Sequence, residues 1–336
     1  MKSDRDNRKR PGTASEHPTN LQSIFKRIGG WFNNNNTEHD FIDHVVNAVE
    51  PKLKLAKDYR KKLLGPIDLC REHCKAMVAE IPGPIYLKES GYYDDPAINA
   101  AFLGSARIEN LLKRADGDKS QPKLSGTERF ALLTMKSKER TVFGSKQQDD
   151  MILSDIAMRC ITFTDHNIVG LATTLSRSRE ALEKFTFDII VEATARELSE
   201  IRTRLVDLRQ RQERLRSMKK MFGDRTCAGL GCVFVPFDPE RQTKKDKIEK
   251  MLAETSSELA AARNESEGPE DWLTIVENIL SKPEDILNIQ LVSLRLNWSN
   301  ILTDDPNEKA NTITLATFTL ADEMQREGIL VSYEQI

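Results

Sequence analysis

The chain has 336 residues, enough for one large domain or two ordinary ones, and it can bury a core without disulfide staples. Charged residues make up 30% and aromatic residues 6%, a wetter balance than a compact enzyme of this size carries and closer to a protein with long exposed helices. Lys and Arg number 50 against 52 Asp and Glu, which excludes a uniformly basic nucleic-acid binder while leaving room for a local basic patch.

Five cysteines, Cys70, Cys74, Cys160, Cys227 and Cys232, form a set too sparse and too odd for a secreted disulfide framework. No run approaches the roughly 18 apolar residues needed to span a bilayer. Residues 1–12 are charged and lack the apolar core of a signal peptide. The expected location is the cytoplasm.

In chain order, residues 1–36 read as a disordered basic arm followed by a short amphipathic segment. Leu21, Ile24, Phe25, Ile28, Trp31 and Phe32 fall at helical spacing there, with Lys26 and Arg27 on the opposite face. Residues 38–115 form a helical region, with breaks expected at Pro51 and at Gly65-Pro66, and Ile81-Pro82-Gly83-Pro84 ends it as a rigid loop. Asp95-Pro96 supplies an N-cap and a first-turn proline for a further helix through Ala101, Phe102, Ile108, Leu111 and Leu112. Residues 116–127 read as a linker or surface loop.

The period then shortens. Within 128–175, the runs 130–135 and 141–143 flank the polar stretch 136–140. The runs 160–163 and 168–169 flank residues 164–167. Both read as β-hairpins.

The clearest pattern follows. Val191, Thr194, Leu198, Ile201, Leu205, Leu208, Gln212, Leu215, Lys219 and Phe222 alternate spacings of three and four, a heptad seam with one polar position at Gln212. A second charged helix over about 240–264 offers Ile248, Met251, Leu252, Thr255, Leu259 and Ala262. Residues 178–265 thus read as a coiled-coil hairpin with a cysteine-bearing connector over 223–239, its arms on the order of 35 Å long at ~1.5 Å per residue. Residues 269–336 supply a helix and strand segments around Ile289, Leu291, Leu294, Leu296, Ile313, Leu315, Phe318 and 329–331 that complete the body. The fold class expected is α+β, mostly helical, with a small antiparallel sheet or hairpin module interrupted by a long antiparallel coiled-coil hairpin.

The phrases Ile81-Pro82-Gly83-Pro84, Arg129-Phe130-Ala131-Leu132-Leu133 and Phe163-Thr164-Asp165-His166 resemble conserved bacterial proteins of unassigned function. The resemblance covers short stretches within about 80–175. It implies a bacterial cytosolic protein and no particular activity.

Several groups of residues could carry chemistry. Cys70, His73 and Cys74, at i, i+3 and i+4, would put three soft ligands on one helical face, a partial zinc site that needs a fourth ligand such as His39, His44 or one of the pair Cys227 and Cys232. The same cysteines suit a helix's buried side equally well. Cys227 and Cys232 could meet as a disulfide or half of a shared metal site, although two free thiols are the expected state in a reducing cytosol. Asp165-His166 and His39-Asp40 lack a nucleophile beside them, no phosphate-binding glycine loop is present, and Asp304-Asp305-Pro306-Asn307-Glu308 reads as a turn.

The leading functional expectation is a non-enzymatic interaction or scaffold protein. Its partner, another protein or a second copy, would engage Leu198, Ile201, Leu205, Leu208 and Leu215 of the coiled coil and Phe234 and Phe237 of the connector, whose apolar run sits in a basic collar. No cofactor is expected, and nucleic acid is not the expected partner. One alternative is a metal- or redox-dependent protein using Cys70/His73/Cys74 or Cys227/Cys232. Another is a peripheral membrane protein held weakly on anionic lipid by Ile24, Phe25, Ile28, Trp31 and Phe32.

Overall fold

The computed structural model describes residues 38–102, 104–117, 127–148, 151–223, 239–264, 268–305, 308–321 and 324–335. Helix α1 (Glu38–Val49) and α2 (Tyr59–Glu80) are joined through a 3₁₀ turn, Pro51–Leu55. Pro51 ends the first helix as expected. Pro66 does not interrupt the second: Leu63, Ile67, Cys70, Cys74, Met77 and Val78 are all buried along α2, and that continuous packed stripe overrides the lost amide hydrogen bond.

After the short strand β1 (Ile85–Tyr86) come three small helices, α3 (Gly91–Asp94), α4 (Pro96–Ala101) and α5 (Ser105–Asp116). Asp95 caps α4, its carboxylate accepting from the amides of Ala97 and Ile98 at 2.8 and 3.4 Å. The helix foreseen to run from there to Leu112 is instead two. Phe102 leaves the helical conformation at the end of α4 and is buried in the core.

The two hairpins expected over 128–175 are one. Strand β2 (Glu128–Gln148) and β3 (Met151–Ala172) pair antiparallel along nearly their whole length. The stretch 136–140 lies inside β2 rather than in a turn. Residues 164–167 hold a bulge in β3, where Asp165 takes a left-handed φ of 54° and the register slips opposite Thr134 and Lys136. Beyond Met135 residues 136–141 of β2 are exposed, whereas β3 stays in the core opposite them through Ile161 and Phe163.

Strands β4 (Leu287–Leu296), β5 (Asn311–Leu320) and β6 (Met324–Glu334) complete a six-stranded sheet in the order β3-β2-β6-β5-β4. β1 lies parallel to the second half of β6, while all other neighbours are antiparallel. Ile301 bridges Cys160, and Leu302 bridges Leu296, so the row of strands returns on itself at that end. The class is α+β, with a sheet larger than the small module foreseen.

One sheet face, with Leu133, Met135, Phe163, Leu315 and Val331, packs under Ile98, Phe102, Ile108 and Leu112 of α4 and α5 and the turn between them. The other face lies under the helices. Gly170, at φ 67°, admits Leu182 so closely that a Cβ there would stand 2.8 Å from it, and Ser178 Oγ donates to the Gly170 carbonyl at 2.7 Å. The loop 81–84 docks on β6 through the Leu330 amide, which donates to the Pro82 carbonyl at 2.9 Å. Gly83 makes that approach available: its φ is 108°, and a Cβ would meet the Leu330 carbonyl oxygen at 2.5 Å. Gly83→Ala is expected to lose roughly 2 kcal/mol from combined backbone strain and steric overlap. Chemical denaturation checks this, and an unchanged midpoint would show that the loop adjusts freely.

Candidate functional site

The helix α6 (Leu175–Gly223) is continuous over 49 residues. Its first half belongs to the body. Leu182, Phe187, Ile190 and Val191 are buried, Phe187 meets Phe41 of α1 at 5.0 Å between ring centres, and Thr186 and Thr194 return their hydroxyls to the carbonyls of Leu182 and Ile190.

Its second half pairs with α7 (Pro239–Asn264). Gln212 Nε2 donates to Ser256 Oγ at 3.0 Å, and Lys219 pairs with Glu249 at 3.2 Å. Seven residues forward on α6 thus match seven back on α7, which makes the pair antiparallel and fixes its register. Leu205, Leu208 and Leu215 are buried on the α6 side, as is Leu198 nearer the body, and Ile248, Thr255 and Leu259 are buried on the α7 side. Thr255 hides its hydroxyl on the Met251 carbonyl at 2.8 Å. Gln212, the polar position of the seam, has its partner. The arms of one chain therefore close on each other.

The arm is held at its root. Leu205, Leu208 and Leu259 cluster with Ile201, Ala262 and Trp272, the last from α8 (Pro269–Leu280). Arg202 pairs with Glu50 and stacks over the Trp272 ring at 5.0 Å. Burial would raise the Glu50 pKa, but the Lys52 amide and the Arg202 guanidinium prevail and hold it below the ordinary carboxylate value.

The cysteine face of α2 points inward. Cys70 Sγ donates to the Leu280 carbonyl at 3.1 Å, and His73 Nε2 lies 2.8 Å from the Leu287 carbonyl oxygen. Burial pushes the Cys70 thiol up to about 12 and Cys74 up to about 11, the latter against a hydrogen bond with Thr186 that lowers it. Both are thus neutral thiols at physiological pH, whereas metal binding and nucleophilic attack need the thiolate. Among the described residues no group of three or more His, Cys, Asp and Glu is placed to hold a metal ion. His44 is half-buried in α1.

Asp165 pairs with Arg326 at 2.5 Å, and His166 stacks on Phe102 at 4.6 Å and meets the Ala101 carbonyl at 2.7 Å, so both fasten the bulge to its surroundings. The connector residues Cys227, Cys232, Phe234 and Phe237, the segment with Ile24, Phe25, Ile28, Trp31 and Phe32, and the His39 side chain lie outside the described residues.

A buried carboxyl passed unnoticed in the sequence. Asp188, on the body half of α6, is 8% exposed, and burial with Glu192 nearby lifts its pKa to about 7. The signal that could have found it is its place among Thr186, Phe187, Ile190 and Val191, on a stretch of helix packed on nearly every side.

The fold and this geometry define a class: an α+β body from which an intramolecular helical hairpin projects. No family model matches the chain, and neither a curated protein nor a solved structure gives a match to it. No helix among the described residues is long and apolar enough to cross a membrane.

Proposed function

We propose that this is an interaction or scaffold protein that works by presenting its helical hairpin to a partner. The observation that carries the reading is the course of α6, whose first half is built into the body and whose second half, past the root cluster at Leu205 and Leu208, runs on paired with α7. Beyond Leu208 the arm buries one stripe per helix and gives the rest of two long helices to solvent. Such an element adds little to the core it springs from, and its extended surface is what another molecule can grip.

The partner engages the flanks of the arm, because Leu198, Leu205, Leu208 and Leu215 are already covered. A protein, or a second copy of the chain, fits this reading. A cytoplasmic location belongs to the same proposal, supported by Cys70, Cys74 and Cys160 being free thiols. Peripheral attachment through residues 20–32 would add a second contact.

The register supplies a clean test. Arg211 and Ser257 are opposite each other one residue below the Gln212–Ser256 pair, so residues 212–256 can be replaced by a short Gly-Ser turn with the root cluster kept. In pull-downs the shortened chain is expected to lose the partners recovered by the full chain while keeping the body's circular dichroism signature. Recovery of the same partners by the shortened, folded chain would overturn the reading.

A further inference from the structure

The near-neutral total charge conceals a segregation. Between Arg209 and Gly223 six Lys and Arg stand against Glu213 alone, and between Pro239 and Lys250 five stand against Glu240, Asp246 and Glu249. The distal arm thus carries seven excess positive charges on a chain whose total is −2, and the connector 224–238 adds one cation and two acids. Lys219 pairs with Glu249 at 3.2 Å and Lys244 with Glu240 at 3.8 Å. Arg209, Arg211, Arg214 and Arg216 are exposed, and none has a carboxylate partner among the described residues.

Their placement follows from the seam. With Leu205, Leu208 and Leu215 buried, Arg209 and Arg216 lie one heptad apart on one flank, and Arg204 and Arg211 one heptad apart on the other. Each step is ~10.5 Å along the helix. Arg211 and Arg214, Arg216 and Lys220, and Lys247 and Lys250 are like charges three or four residues apart, which weakens an isolated helix. An anionic partner would relieve that repulsion.

We propose that the distal arm binds the phosphate backbone of double-stranded nucleic acid. Guanidinium groups match phosphate geometry in a way ammonium groups do not, and all four cations over 209–216 are arginines. A rigid rod with cations at regular intervals suits a polymer carrying one charge per ~1.7 Å of axis. A helix pair, at roughly 10 Å per helix, is too wide for the major groove, which admits one helix. The contacts therefore fall on phosphates, and recognition is independent of sequence. A lipid surface suits the described arm less well, because the apolar stripe of each helix is closed inside the seam.

This rests on the arm being the interaction element. Fluorescence anisotropy of the full-length chain with two unrelated duplexes of about 25 base pairs tests it. Affinities for the two are expected within about threefold of each other, falling on the order of 100-fold from 50 to 200 mM salt. Replacing Arg209, Arg211, Arg214 and Arg216 together by Gln should weaken binding at least about tenfold with the helical signal and melting temperature kept, whereas Lys at the same four positions keeps the salt dependence and gives an affinity between the two. Absence of duplex binding at low salt, binding indifferent to the four Gln substitutions, or binding only to phosphatidylserine vesicles would each overturn the proposal. If duplex binding fails while the shortened chain still loses its protein partners, the scaffold reading stands and the nucleic-acid assignment falls.

Discussion

Leu205→Asp is expected to unzip the arm while leaving the sheet standing. Leu205 is 4% exposed at the centre of the root cluster, between Leu208 and Leu259 and beside Trp272. Truncating a buried leucine to alanine costs about 2–5 kcal/mol, and a carboxylate adds the cost of burying an unpaired charge. A two-helix pair with one apolar stripe on each side has no second layer to absorb that loss. The arm should fray from its root outward and become a substrate for trypsin along its arginine-rich stretch. Limited proteolysis followed by mass measurement should give cuts within about 202–263, with fragments of the body surviving. An arm as resistant as the parent's would show that the seam is not what holds the hairpin together.

The second large effect concerns Asp188. A carboxyl whose folded pKa is raised binds its proton more tightly in the folded than in the unfolded state. Its favourable contribution is therefore whole below the ordinary value near 3.8 and is lost as pH rises to about 7, where the buried group ionises. Asp188→Asn removes that charge without changing shape. The variant is expected to match the parent near pH 4 and to exceed it increasingly up to neutral pH, reaching a gain on the order of 3 kcal/mol by pH 8. Urea titrations at the two ends of that range decide the matter, and a gain that does not vary with pH would refute the assignment. Glu50 moves the opposite way: with its pKa depressed, its bond to Arg202 stabilises the root above the unfolded carboxylate pKa and is lost as pH falls.

The arm was legible in the sequence because a seam is a local pattern. Spacings of three and four put Leu198, Leu205, Leu208 and Leu215 on one line whatever the rest of the chain does, and the polar break at Gln212 was visible in the same way. The Asp95-Pro96 helix start is equally local, since the cap is made to amides two and three residues on. The β-ribbon was misread for a related reason. Strands are recognised by an apolar face meeting a core, and beyond Met135 neither face of β2 meets one, so Lys136, Lys138 and Arg140 looked like a turn.

By itself, the sequence determined the α+β class, several helix starts and the existence of a long two-helix hairpin, all consequences of patterns a few residues long. Only the tertiary structure decided that one chain closes that hairpin on itself, that β1 and β6 run parallel beside otherwise antiparallel neighbours, and that Pro66 stays within α2. It also decided that Cys70, Cys74 and Asp188 are sealed in while Arg209, Arg211, Arg214 and Arg216 are exposed with no carboxylate partner among the described residues. Those outcomes depend on which distant residues arrive beside each group, and on whether water or a second side chain meets it there.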